Sequence, residues 1–440
     1  MATISDDSFS LDLLTDEQLL LLAQLKKRLT DEADEFCFLS DDIHLLYWLR
    51  ARKFDLDAAE KMLRNHLRYR RAMALDDVGA AGSVHPVMAR YYPSGQFGFD
   101  RHGRPVVYYA FGTIDPKGIL HSIRVSDVMR SIMCMIQERY KDCEMATDRF
   151  DRTVSQAVFV LDLEGVSARH MWKPGIDVFT QIARCLEQHT PEIIHKILVI
   201  NAPAIFSAIY RVIRPILDEG TKRKVHVYGS DGWQSVLQEQ IAPDNLPCHY
   251  GGSCFSPNGD PRCSHVISYG GDVPKELYLT AQDRENLLPE GTVLTEVSVL
   301  RGRQVLLRYT VKEPNSVLFW YVESSSSQDV GFAVYRIPNS WDSCTDTLDL
   351  SQLEMVYPYF RLLTHLVPEW DHIVARKPGS YVVQLDNSYS WLSSKQLKCY
   401  VTVEAANSPL LPLLPCSQKV KSPTITAVAS CPVFSASRAL

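Results

Sequence analysis

Four short apolar runs punctuate the middle of the chain, each followed by a stretch of helical spacing. RPVVYYAFG (104–112), QAVFVLDLEG (156–165), KILVINAP (196–203) and KVHVYGS (224–230) are rich in β-branched and aromatic residues. Helical periodicity covers 125–140, 173–188 and 232–240, and also the middle of NAPAIFSAIYRVIRPILDEGTKRKV (201–225). Strands that alternate with crossover helices predict a mainly parallel sheet with right-handed connections.

The flanks read differently. From about Leu11 to Met73 the pattern is helical, with Thr15 and Gln18 forming a capping-box signature before the first helix. After Gly252 comes a loop rich in Gly, Pro and Ser, then strand-like pieces at 292–300, 304–311, 316–323, 332–337, 380–388 and 398–404. That spacing predicts a β-sandwich. From Ala405 the tail has five prolines, many serines and no acidic residue, a composition expected to stay disordered. The expected layout is a helical domain (11–75), an α/β domain (76–256), a linker (257–275), an all-β sandwich (276–404) and a tail (405–440).

The net charge of −6 gives no reason to expect nucleic acid as a partner. Locally, residues 50–71 hold eight basic residues against three acidic ones, which a solvated helix face would also explain. Eleven scattered cysteines without a C-x-x-C suggest free thiols in a reducing compartment, and the cluster around Cys248, Cys254 and Cys263 does not match a zinc template. The first ten residues lack a signal-peptide pattern, and no run approaches the roughly 18 apolar residues of a membrane span. The expected location is therefore the cytosol. No nucleophile elbow, phosphate-binding glycine loop or metalloprotease motif occurs. Asp162 and Glu164, at the end of a central strand, could serve an enzyme as an acid/base or metal pair, or could simply cap the turn.

The segment 201–225 combines a broad apolar face with a cationic end. Ser207, Arg211, Arg214 and Asp218 make one narrow polar stripe, while Phe206, Ile209, Tyr210, Ile213 and Leu217 fill much of the rest. Thr221, Lys222, Arg223 and Lys224 follow at once. A helix covering the sheet accounts for the first feature. A ligand both greasy and anionic, such as a phospholipid, accounts for both.

Five blocks, LRARKFDLDAAEKML, DRHGRPVVYY, VLDLEGVS, PEIIHKILVINAPAIFSAIYRVIRPILDEGTKRKV and IAPDNLPCHYGG, together resemble the CRAL-TRIO (Sec-fourteen-like) lipid-transfer family over about residues 15–255. The sandwich, with KPGSYVVQLDNSYSWLSSKQLKCYVTVE, resembles a GOLD domain, an arrangement similar to the supernatant protein factor and tocopherol-associated branch. The resemblance implies a sheet floor and helical walls around one lipid. The gate helix would be Ala204 to Leu217, and Tyr108, Phe111, Phe159, Leu161, Phe179 and Ile182 would line the cavity. It also implies a phosphatidylinositol headgroup set at Arg52, Lys53, Glu192, Thr221 and Lys224. Ala157 and Phe159 stand where phosphatidylcholine-carrying members place small hydroxyl residues, which favours squalene, a tocopherol or another isoprenoid as alternative cargo. No catalysis and no cofactor are implied. Expected partners are the lipid, a transient Golgi or endomembrane surface, and a protein bound through the GOLD domain. The alternative role is a lipid-sensing adaptor in membrane traffic.

Overall fold

The computed structural model describes residues 11–77, 84–338 and 348–405. Nearly all of the tail expected to be disordered lies outside them.

Helices α1 (Asp16–Arg28), α2 (Asp42–Ala51) and α3 (Leu56–Met73) open the chain. The Thr15 hydroxyl accepts the Gln18 N–H and the Gln18 side chain accepts the Thr15 N–H, closing the capping box. Asp41 and Asp55 cap α2 and α3 through the N–H groups of Ile43 and Ala58. The apolar stripes of the three helices meet at Leu25, Leu45, Leu49, Leu63 and Leu67, all fully buried. The basic face of α3 is mostly paired. Arg64 bonds Asp31 and Glu60 at 2.9 Å, Arg71 bonds Glu32 and Glu35, and Arg70 bonds Asp76. Ion pairing on that face thus accounts for Arg64, Arg70 and Arg71, three of the eight basic residues in the run.

Next come α4 (Pro86–Tyr91), β1 (Gly95–Phe99), β2 (Pro105–Ala110), α5 (Pro116–Ser122), α6 (Val125–Phe150) and β3 (Ala157–Asp162). They are followed by α7 (Lys173–His189), β4 (Ile194–Ile200), α8 (Phe206–Ile213), α9 (Glu219–Lys224), β5 (Val225–Val227) and α10 (Trp233–Gln240). The sheet runs in simple order from β1 to β5; β2 through β5 are parallel, and β1 joins β2 antiparallel. One face packs on α10, with Val106, Tyr108, Val158, Val160, Leu198 and Ile200 against Trp233 and Leu237. The other face looks toward α5 to α8. Within the expected gate, Ala204 to Leu217, the helix α8 is shorter than that span and ends at Ile213, just before Pro215; the basic residues that follow lie on a separate short helix, α9.

The last part holds α11 (Ala281–Glu285), β6 (Thr295–Val299), β7 (Gln304–Val311), β8 (Ser316–Ser324), β9 (Val330–Arg336), β10 (Glu354–Leu362), β11 (Glu369–Ala375), β12 (Gly379–Asp386) and β13 (Lys395–Glu404). Two antiparallel four-stranded sheets, β10-β9-β12-β7 and β11-β8-β13-β6, make the sandwich. Strands β10 and β11 were not expected from the sequence. Both are edge strands: β10 contains Pro358 inside the register shift between Tyr357 and Phe360, and β11 carries Glu369, Asp371 and His372. Proline and charge are what sheet edges tolerate, and they also erase the strand signal.

The sandwich shares a continuous apolar cluster with the α/β part, in which Val128 and Ile132 of α6 join Trp320 and Phe332. Polar clamps reinforce it. Arg124, which is buried, donates to the Trp370 carbonyl and pairs with Asp127 at 2.7 Å and Asp371 at 3.3 Å. Gln181 of α7 exchanges two hydrogen bonds with the Arg361 backbone, at 3.0 and 2.7 Å.

Candidate functional site

A cavity of about 370 Å³ lies between the sheet and helices α5 to α8. Its volume falls within the roughly 300–1,000 Å³ of small-molecule sites. Strand pleat decides which residues see it. Phe159 and Leu161 of β3 point in, while Val158 and Val160 point to α10. The parallel register sets Tyr109 beside Leu161, and Phe159 beside Ile197, so Tyr109, Ile197 and Val199 share that floor. Val128, Ile132 and Met135 of α6 form one wall, and Phe179, Ile182 and Leu186 of α7 form another. The lining is hydrocarbon almost throughout.

Five of the six residues expected to line the cavity do so: Phe111, Phe159, Leu161, Phe179 and Ile182. Tyr108 does not. It is fully buried on the opposite face of the sheet, stacked on Tyr250 at 5.0 Å. In the dipeptide Tyr108-Tyr109 only one ring can face the cavity, and the register chooses Tyr109. Phe206, Ile209, Tyr210 and Ile213 of α8, with Leu217 beyond it, cover the mouth. None of them is fully buried, and Val212 on the outer side is 46% exposed. The covering is therefore apolar on its inner face and partly so on its outer face.

At one rim the lining turns polar. Glu192 from the turn before β4 and Thr221 and Lys224 from α9 lie there, and Arg52, just past the end of α2, also lines the cavity. Lys224 Nζ donates to Glu192 Oε2 at 3.1 Å, with both side chains about one-fifth exposed. Lys53 is not part of this rim; it sits exposed in a left-handed turn (φ 52°) after α2. The adjacent positions Arg52 and Lys53 diverge just past the end of α2: Arg52 is its C-cap, and the backbone turns left-handed at Lys53.

The rim also holds a carboxyl that the sequence reading passed over. Glu187 of α7 lines the cavity, accepts the Asp218 N–H at 3.1 Å and takes a 3.5 Å hydrogen bond from the Thr221 hydroxyl. Burial, and next Asp218, push the Glu187 carboxyl up to about 8, while Asp218 is held below the usual carboxylate range by its hydrogen bonds to Glu187 and to backbone N–H groups. Burial thus favours the protonated form of Glu187, and the hydrogen bonds it accepts from Asp218 N–H and the Thr221 hydroxyl join α7 to the foot of the covering segment. The available signal was a glutamate one turn past Ala183 on the apolar stripe of α7.

Asp162 and Glu164 do not line the cavity. Asp162 accepts from Glu164 N, Asn201 Nδ2 and the Tyr250 hydroxyl at 3.0, 2.9 and 3.3 Å, so it ties the ends of β3 and β4 together. One ligand atom each from Asp162, Glu164 and His249 lie within 4.8 Å of one another, but these three bonds already engage the Asp162 carboxylate.

The family model described as CRAL/TRIO domain matches residues 89–252. Protein ctg-1 of Caenorhabditis elegans is 30% identical over 365 residues, which cover 83% of this chain and 92% of that protein. The chain belongs to the CRAL/TRIO family. CRAL/TRIO proteins bind and transfer lipids and are generally not enzymes. Residues 281–409 match a second model, described as "F28H7_8_C:-like, C-terminal domain", which covers the sandwich. Protein real-time of Aedes aegypti is 27% identical over 354 residues, and the chain spans about half (53%) of its length. The crystal structure of Sfh5 superposes with a TM-score of 0.42 at 15% identity, covering 61% of this chain and 92% of that one. Among the described residues no helix is long and apolar enough to cross a membrane.

Proposed function

We propose that the protein holds one lipid in the CRAL/TRIO cavity and exchanges it at membrane surfaces, α8 acting as the gate. What supports this reading is a hydrocarbon-lined cavity whose few polar lining residues include Arg52, Thr221 and Lys224. Acyl chains would lie over Phe159 and Phe179. The phosphate of phosphatidylinositol would take charge-assisted hydrogen bonds from the rim, and Glu192 would accept from inositol hydroxyls. An isoprenoid such as squalene or a tocopherol would use the same hydrocarbon and leave the rim to its internal ion pair. Sheltering two acyl chains is worth tens of kcal/mol at roughly 0.8 kcal/mol per CH₂. The cavity must therefore be about as apolar as the bilayer for transfer to be nearly balanced. No covalent step is required. An opened α8 would lie in the interface as an amphipathic helix does.

A second reading, the lipid-sensing adaptor with the sandwich serving as a GOLD-type module for a Golgi or vesicle protein, is favoured by the clamps from α6 and α7 to β11 and β10. Both cavity walls are thereby fixed to the sandwich. Native mass spectrometry of the protein purified from cells, with transfer of labelled phosphatidylinositol between vesicles, tests the first reading. An empty cavity together with no transfer would end it. Deleting the chain after about residue 275 tests the second, which expects lost cellular function with transfer in vitro retained.

A further inference from the structure

The geometry points to a bilayer-inserting tip on the sandwich, built from Trp391, Leu392 and Leu300 and flanked by Arg301 and Arg303, with anionic phospholipid surface as its ligand. Trp391 is 88% exposed, Leu392 92% and Leu300 59%. They stand on two adjacent turns, 300–303 between β6 and β7 and 387–394 between β12 and β13. The turns are locked together: Gly302 N–H reaches the Asn387 and Ser390 carbonyls at 3.1 and 2.9 Å, and Asn387 N–H donates to the Arg303 carbonyl at 2.9 Å. Asn387 is completely buried, and its amide holds the Val299 and Ser393 carbonyls at 3.1 and 3.0 Å. The apolar side chains are thus presented by a fixed framework. Arg301 and Arg303 are exposed and make no ion pair among the described residues.

The shape favours a membrane over a protein. Trp391 alone offers roughly 150–250 Å², and two leucines beside it leave the tip short of the roughly 800 Å² per partner of a standard protein interface. A protruding tryptophan with leucines and unpaired arginines is instead what the headgroup boundary accepts: an amphipathic ring at the interface and cations against anionic lipid. The neighbouring carboxylate does not cancel these cations, because Asp329 is occupied by Arg361 and Lys395. Strands β9 and β13 both run away from the tip. The tip also connects to the cavity wall. Tyr389 lies under the Arg361 guanidinium at 3.9 Å, and the Arg361 N–H donates to Gln181 of α7, the helix against which α8 packs. The tip adds a second bilayer contact to the exchange reading and stands whichever cargo is carried.

The test uses the full chain and vesicles of phosphatidylcholine alone or mixed with phosphatidylserine. Brominated acyl chains should quench wild-type tryptophan fluorescence more than that of Trp391→Phe; the difference reports this side chain only. Trp391→Ser combined with Leu392→Ser should lower partitioning onto the mixed vesicles roughly tenfold or more. Each of Arg301→Ala and Arg303→Ala should lower it about fivefold, on the anionic vesicles only. Equal quenching in wild type and Trp391→Phe, or unchanged partitioning of the serine variant, overturns the proposal and leaves the tip to a protein partner. Trp391 quenching without any lipid exchange supports the tip and counts against the cargo reading alone.

Discussion

Replacing Lys224 by alanine should separate the two classes of cargo. Lys224 is held 3.1 Å from Glu192 at the cavity rim, in a site about one-fifth exposed. A hydrogen bond from a lysine to a phosphate contributes about 1.5–3 kcal/mol. Removing it should therefore weaken phosphatidylinositol loading roughly 10- to 150-fold. A neutral isoprenoid makes no such bond, and its loading should change less than about twofold. The ion pair with Glu192 contributes little to folding, about 1 kcal/mol or less for a partly exposed pair. That corresponds to a melting shift of about 1 °C or less at this chain length. The assay is competitive loading from mixed vesicles followed by native mass spectrometry, with a thermal melt on the same sample. A parallel loss of both lipids would make Lys224 a structural residue. An unchanged phosphatidylinositol signal would remove the rim from the headgroup site altogether.

Three further outcomes follow from the titrating and buried charges. The raised Glu187 carboxyl favours its protonated form in the closed state, so that contribution is complete below the ordinary glutamate range and is lost as pH rises through about 8. Lipid exchange should accelerate from pH 7 to 9, and Glu187→Gln should flatten the profile; an unchanged slope in the variant would remove Glu187 from the latch. His66 is buried and His189 half-buried at the junction of α3 and α7, and burial pushes both imidazoles down, His189 to about 4. The His189 contribution is complete above the ordinary histidine range and disappears as pH falls through about 4, and His66 acts in the same direction, so melts from pH 7 to 4 should show a steep acid limb. His189→Phe, which can keep the 4.0 Å stack on Tyr69, should make that limb shallower, and a limb as steep as before would assign acid unfolding elsewhere. Arg124→Ala leaves Asp127, Asp371 and Glu369 without their counter-charge between α6 and β11, and should destabilise by about 3–5 kcal/mol in denaturant melts; a loss below about 1 kcal/mol would contradict the burial argument.

The α/β part was legible because its signals are local. β-branched runs, a capping box at Thr15 and apolar stripes on α3 and α7 are consequences of period and side-chain chemistry that survive without the fold. The apolar face of α8 belongs to the same class. Strands β10 and β11 were invisible because an edge strand is stabilised by one neighbour, and Pro358 or Asp371 is compatible with that while contradicting strand propensity. The cavity was legible in kind and misread in one detail, since a one-residue change in register exchanges the faces of Tyr108 and Tyr109.

What the sequence settles by itself is composition at short range: greasy strands, greasy helices, and cations following 201–217. Which of those cations share a site is a matter of three-dimensional placement. Arg52 lines the cavity and Lys53 does not, because the backbone turns left-handed at Lys53 just past the end of α2. Arg64, Arg70 and Arg71 are neutralised by acidic residues brought in from α3's neighbours in space and chain. Glu187 favours its protonated form because folding places it against Asp218 in a hydrocarbon wall, thirty-one residues apart in the chain. Electrostatic character depends on distance and exclusion of water, and both exist only after the chain has closed on itself.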